Sequence, residues 1–209
     1  MSDSSYRVMG IDLAAANSGI CIIDAHYPDY SFDVLVEEAM HHPMSDFRNR
    51  VDASNYILFL AEDNEVDVVA MEDYAMRFGR TNTSGFQYGE IGGMVRKALY
   101  EASIPFYITP PTTMRSFMEV PPRSDKDFLE KQASSRLGYT SKASTKKKRS
   151  DITDALIHAH IGSLMHITRN GELNYDLTDA ESRILYGDKK IIGLKDRDGI
   201  YYGKEEENK

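Results

Sequence analysis

Val8-Met9-Gly10-Ile11-Asp12-Leu13 is an apolar run that carries one carboxylate near its end. Short apolar runs bounded by turn residues read as β-strands, here over residues 6–13. Ala14-Ala15-Ala16-Asn17-Ser18 follows as a turn of small residues, and Gly19-Ile20-Cys21-Ile22-Ile23-Asp24 is a second apolar run. The two predict a hairpin, to which residues 32–39 add a third strand. Further out the period changes. Phe47, Val51, Ile57, Leu58 and Leu60 recur near helical spacing and predict an amphipathic helix over 45–62. Residues 66–71 form an apolar run after a polar break, the pattern of a strand buried on both faces. A helix is predicted over 84–102, containing Gly89, Gly92 and Gly93. A short strand over 104–108 follows, stopped by Pro110 and Pro111. Ser124, followed three residues later by Asp127, marks the start of a helix over 124–137. Residues 150–167 read as the last helix of the core.

Three meandering strands, then two strands reached through helical crossovers, imply an α/β fold: a mixed five-stranded sheet flanked by helices. At 209 residues the chain fills one domain well, placed at 1–169. Residues 170–209 form a small C-terminal extension, with 189–194 and 199–202 as a candidate hairpin and the last six residues as a charged tail.

Composition excludes several classes. With 41% hydrophobic and 28% charged residues the chain reads as an ordinary globular protein. No apolar run approaches the ~18 residues of a membrane span, so no membrane partner is expected. The opening Met-Ser-Asp-Ser-Ser-Tyr-Arg lacks the layout of a signal peptide. Cys21 has no second cysteine to pair with and reads as a small core residue. These features point to a reducing, cytoplasmic setting. The net charge of −8 argues against a protein that coats nucleic acid indiscriminately. Its distribution says more: residues 1–73 sum to −12, 74–169 to +7 and 170–209 to −3. A basic middle between acidic ends suits a local polyanion-binding face, and equally a solvated surface of uneven charge.

Four carboxylates stand out by position. Asp12 ends the first strand, Glu72 ends the strand over 66–71, and Asp151 and Asp154 open the last core helix. Residues three apart on a helix share a face, so Asp151 and Asp154 can point at one spot. Acids at strand ends and in a first helical turn can converge at one edge of a mixed sheet. Clustered carboxylates repel, and one would be forced to protonate. Hard oxygen donors of this kind suit Mg²⁺ or Mn²⁺, which removes the conflict. Two such ions ~4 Å apart would activate a water and stabilise the leaving oxygen in phosphodiester cleavage. Each acid has a structural alternative: an Asp in a first helical turn favours the helix dipole, and an Asp after a strand often caps a loop. Asp73 should face away from Glu72 by strand alternation and reads as a solvated surface residue.

The strand ending Gly10-Ile11-Asp12, the strand end Met71-Glu72 and the late helix opening Ser150-Asp151-Ile152-Thr153-Asp154-Ala155-Leu156 together resemble the RuvC-type Holliday junction resolvases. These belong to the RNase H-like superfamily, and the resemblance runs from about residue 7 to 166. It implies an RNase H-like fold and a crossover junction endodeoxyribonuclease, a metal-dependent hydrolase of DNA recombination and repair. Asp12, Glu72, Asp151 and Asp154 would be its catalytic, metal-binding residues. The implied substrate is four-way or otherwise branched DNA, cut by a symmetric homodimer in a bacterial or virus-infected cell. Tyr88-Gly89-Glu90-Ile91-Gly92-Gly93 resembles the family's glycine-containing helix after the second acidic strand. Ser124-Asp125-Lys126 resembles its Asp-Lys helix entry, which puts Lys126 near DNA. Two departures bear on junction geometry. Leu13-Ala14 stands where the family has Pro-Gly, and Val120-Pro121-Pro122-Arg123 where it has a glycine-rich loop. A virus-encoded branch of the family fits such departures.

Lys146, Lys147, Lys148 and Arg149, with Lys142 nearby, lie just before the acidic helix, where a bound phosphate would be delivered to the metals. Tyr74, Arg77, Phe78 and Arg80 follow Glu72 and mix base-stacking with phosphate-binding types. The resemblance makes Tyr74 and Phe78 candidates to wedge into an opened junction. His158, one turn after Asp154, reads as a hydrogen-bonded helix histidine or as a proton-transfer aid. His41-His42 lacks the partners of a zinc site. Other readings are a looser debranching or generic nuclease, a sugar-kinase/actin-type ATPase, and a catalytically silent DNA-binding adaptor. The ATPase needs glycine-rich phosphate loops that the sequence lacks, and an adaptor would not need all four acids.

Overall fold

The computed structural model describes residues 4–14, 17–42, 46–73, 83–109, 111–121, 123–169, 174–186 and 200–201. β1 (Ser4–Asp12) and β2 (Asn17–Tyr27) form the expected antiparallel hairpin, and β3 (Ser31–His41) pairs antiparallel with β2. β4 (Val68–Glu72) lies parallel to β1, and β5 (Phe106–Thr109) lies parallel to β4. The five expected strands thus form one mixed sheet. The two-residue β6 (Ile200–Tyr201) extends it antiparallel to β5, giving the order β3-β2-β1-β4-β5-β6.

Among the described residues six helices flank the sheet: α1 (Phe47–Asp63), α2 (Thr83–Glu101), α3 (Pro111–Phe117), α4 (Lys126–Leu137), α5 (Lys146–Arg169) and α6 (Asp179–Leu185). Alternation along the strands decides what each face buries. Met9 and Ile11 of β1 and Val69 and Met71 of β4 join Ile57 of α1 and Ile91, Val95 and Leu99 of α2. Val8, Val68, Ala70 and Tyr107 face the other way, into a second cluster with Leu156 and Ala159 of α5, Phe117 of α3 and Leu129 of α4. A sheet buried on both faces has apolar residues at successive positions, which is why 66–71 reads as a run.

The helix α5 is the centre of the second layer. Residues 150–165 are all buried, so this stretch has no solvent face. It comes this close because β1 and β2 present glycine to it. A Cβ on Gly10 would lie 1.9 Å from the Ala155 carbonyl oxygen, and one on Gly19 would lie 1.9 Å from that of Asp151.

Several expectations need correction. The helix α5 starts at Lys146, so Asp151 and Asp154 lie beyond its first turn, and Lys146–Arg149 form that turn. Thr145 supplies the extra turn, its hydroxyl accepting from the Lys148 N–H at 3.3 Å. The N-cap of α4 is Asp125, which accepts from the Phe128 N–H at 2.8 Å, where Ser124 was expected. Pro111 does not simply stop the strand before it. It begins α3, the first-turn position where a missing N–H costs nothing. Beyond residue 170, α6 forms behind a capping box of Thr178 and Glu181. Residues 200–201 pair with β5, and residues 189–194 lie outside the described residues.

Candidate active site

β1 and β4 run side by side and stop together. Ile11 is in register with Met71, so Asp12 and Glu72 are the next residues on two adjacent parallel strands. Alternation turns both toward α5, the face to which Gly10 and Ala70, two residues earlier, are packed. Asp12 is paired across the hairpin with Gly19, and Gly19 touches the backbone of Asp151. One turn on, Asp154 shares the face of Asp151, and the two are only 5% and 8% exposed respectively. Four carboxylates from three elements therefore lie at the C-terminal edge of the parallel strands, near enough for Asp154, Glu72 and Asp151 all to bear on the charge of Asp12.

Their charges conflict. Burial, then Asp154 and Glu72, push the Asp12 carboxyl well above the ordinary carboxylate range. Burial and Asp154 raise Glu72 to about 7. Asp151 and Asp154 are raised too, chiefly by burial. Lys126 opposes all four shifts and sits among these acids, its Nζ donating to Asp154 Oδ2 at 3.1 Å. Burial works against its own charge, but Asp154, Asp12 and Asp151 outweigh that and raise its pKa.

A pH dependence follows. Folded Glu72 titrates near 7 against an ordinary 4.5, so the folded state binds the extra proton between these values. Stability from this group is full at low pH and is lost as pH rises through that window. Without metal, Glu72→Gln should therefore gain stability relative to the parent as pH goes from 5 to 8. Paired denaturation curves at the two pH values check this, and added Mg²⁺ should shrink the gap.

By chemistry alone, four oxygen-bearing acids, each reluctant to ionise beside the others, are donors of the kind that would suit a hard divalent cation, with one ammonium offsetting their charge. Among the described residues, no three acidic, histidine or cysteine side chains are set as a ready-made cage. Lys126 contacts one of the four acids, Asp154, and acts on the other three through its charge.

The expected DNA-contacting residues fare unevenly. Tyr74, Arg77, Phe78 and Arg80 lie outside the described residues. Lys126 is drawn into the acidic cluster. Lys142 is exposed, with its backbone N–H donating to Glu37. Lys146 and Arg149 pair with Asp127 and Glu130 of α4, at 2.7 and 3.4 Å, while Lys147 and Lys148 are exposed. His158 is buried, 3.1 Å from the Thr109 hydroxyl, and burial lowers its pKa to about 4. It reads as a neutral, hydrogen-bonded core histidine. Asp73 faces away from Glu72 as alternation requires, and there accepts from Arg96 of α2 at 2.9 Å. His42 is buried against the Ser18 hydroxyl at 2.7 Å, and Cys21 is fully buried.

Two neighbours of the site had no assigned role. The charge of Arg115 of α3 favours the ionised form of Asp154 against the larger effect of burial, and only the proline at the helix start signals α3. Tyr88 of α2 borders Glu72 and Asp12. Burial, then those two charges, push its hydroxyl pKa up. Its place in Tyr88-Gly89-Glu90 was the available signal.

No protein-family model matches the chain, and no curated protein matches it by sequence. Solved structures do. RuvC from Thermus thermophilus, in complex with a Holliday junction substrate, is 19% identical with a TM-score of 0.61, covering 79% of this chain and 96% of its own. A second structure of T. thermophilus RuvC is likewise 19% identical, with a TM-score of 0.60 and the same coverage. The Fowlpox virus resolvase, in complex with Holliday junction DNA, is 13% identical with a TM-score of 0.48, covering 78% of this chain and 98% of its own. What the likeness to the two RuvC structures fixes is the fold: the chain has the RNase H-like architecture of the RuvC resolvases.

Proposed function

We propose that the chain is a divalent-metal-dependent endodeoxyribonuclease that cleaves four-way and other branched DNA, acting as a homodimer. The observation that carries this reading is the placement of Asp12, Glu72, Asp151 and Asp154 at one sheet edge, within reach of each other's charge, in the fold of the RuvC resolvases. Those four acids would hold two Mg²⁺ or Mn²⁺ ions, whose bound state supplies an activated water and charge for the departing oxygen. The strand ends fix Asp12 and Glu72, and α5, seated on glycine, fixes Asp151 and Asp154 against them. Lys126 and Arg115 add positive charge where a phosphate would approach. Exposed Lys147 and Lys148 stand one to two turns before the acids and would hold the DNA backbone. The proposed setting is cytoplasmic, with residues 1–169 as the nuclease domain.

The binding half of this reading is tested by titrating labelled four-way and linear DNA of equal length in metal-free buffer at moderate salt. Tighter binding of the junction is expected, because deforming DNA costs least where stacking is already interrupted. Equal affinity would favour a generic nuclease on the same fold. Replacing Lys147 and Lys148 with alanine should lower the log–log salt slope by about 1.8 on duplex arms, 0.9 for each lost phosphate contact. An unchanged slope would make this turn an idle surface.

A further inference from the structure

The first turn of α5 is electrostatically inverted. Lys146, Lys147, Lys148 and Arg149 crowd four cations at a helix N-terminus, which is itself positive, and that turn has no acid of its own. The anions come from α4. Asp127 Oδ2 lies 2.7 Å from Lys146 Nζ, and Glu130 Oε1 lies 3.4 Å from Arg149 Nε. Asp127 and Glu130 are three residues apart on α4, so both turn toward α5, and the four side chains line one groove. The Lys146–Asp127 pair is wet, its side chains 66% and 47% exposed, so it is cheap to exchange.

We propose that Asp127 and Glu130 are internal phosphate mimics. They compete with the DNA backbone for Lys146 and Arg149 and so hold down the affinity of the free enzyme for DNA. The inference rests on the nuclease reading above. Physically, a backbone phosphate that takes Lys146 or Arg149 must displace a carboxylate. The carboxylate set free gathers a counterion from solution, which cancels part of the counterion release that drives binding. The pairs therefore lower both the affinity and its salt dependence.

The test is a double-mutant cycle on the full chain, read as binding to a fluorescein-labelled linear duplex in metal-free buffer over a salt series. Asp127→Asn with Glu130→Gln should tighten binding about 3–10-fold at ~0.1 M salt and steepen the log–log slope by up to about 0.9 per pair. The same two substitutions in a Lys146→Ala, Arg149→Ala background should change neither quantity. That result separates competition for the two cations from general repulsion between DNA and acids. Tightening that persists in the alanine background overturns the proposal, as does an unchanged affinity in the parent background. If the parent protein binds neither this duplex nor a four-way junction titrated alongside it, the nuclease reading fails as well, and these two parent titrations alone reveal it.

Discussion

Asp12→Asn, Glu72→Gln and Asp154→Asn should each lower cleavage of a four-way junction by about 10³-fold, from several kcal/mol of lost transition-state stabilisation. Junction affinity should stay near the parent value. The two effects should separate because, in the proposed site, these acids would hold the metals rather than the DNA. Removing a negative charge should, if anything, ease the approach of phosphate. The substitutions are nearly isosteric, and the site is electrostatically unfavourable without metal: Asp12, Glu72 and Asp154 all have raised pKa values. The variants should therefore fold at least as well as the parent. Asp151→Asn should also be severe. Its N-terminal helix role is no longer available as an alternative, since α5 begins five residues earlier. Single-turnover cleavage beside a binding titration on the same preparations reads both quantities. Normal cutting by any one variant would remove that residue from the site.

Gly19→Val should destabilise the chain by about 3 kcal/mol and remove cleavage with it. Gly19 lies in β2 opposite Asp12, and a Cβ there would stand 1.9 Å from the carbonyl oxygen of Asp151. The obstacle is helix backbone, so no rotamer change relieves it. Either α5 lifts from the sheet or β2 shifts, and each movement separates Asp151 and Asp154 from Asp12. Gly93→Ala is the matched control. It sits in α2 where a Cβ meets nothing within 4 Å, and it should gain up to about 1 kcal/mol from helix propensity. Urea midpoints of the two variants against the parent decide the matter. Equal midpoints would mean that the close seat of α5 is not a constraint.

The parts of the fold that are legible in sequence are those where burial imposes a period. The hairpin of β1 and β2, the amphipathic α1 and the continuous run of β4 all follow from which faces meet apolar neighbours. The four acids are legible because strand ends and the Asp151–Asp154 spacing fix their direction locally. What is not legible depends on partners distant in sequence. The start of α5 is not legible because Lys146–Arg149 look like a solvated loop until Asp127 and Glu130 are brought opposite them. Lys126 reads as a DNA contact because its link to Asp154 spans 28 residues and exists only once α4 is docked. The helix α6 carries a local signal in Thr178 and Glu181. Yet Glu181 also binds Arg136 at 2.8 Å, a tertiary contact that no spacing rule announces.

The central claim, that the four acids form a metal-dependent nuclease site for branched DNA, is tested most directly by one incubation. End-labelled four-way junction and linear duplex of equal length are mixed with the purified chain, with and without Mg²⁺, and the products resolved on denaturing gels. Paired, near-symmetric nicks bearing 5′-phosphates, confined to the junction and to the Mg²⁺ lanes, are the predicted result. Cleavage that persists without divalent metal, or none on either substrate with Mg²⁺ or Mn²⁺ present, would contradict it.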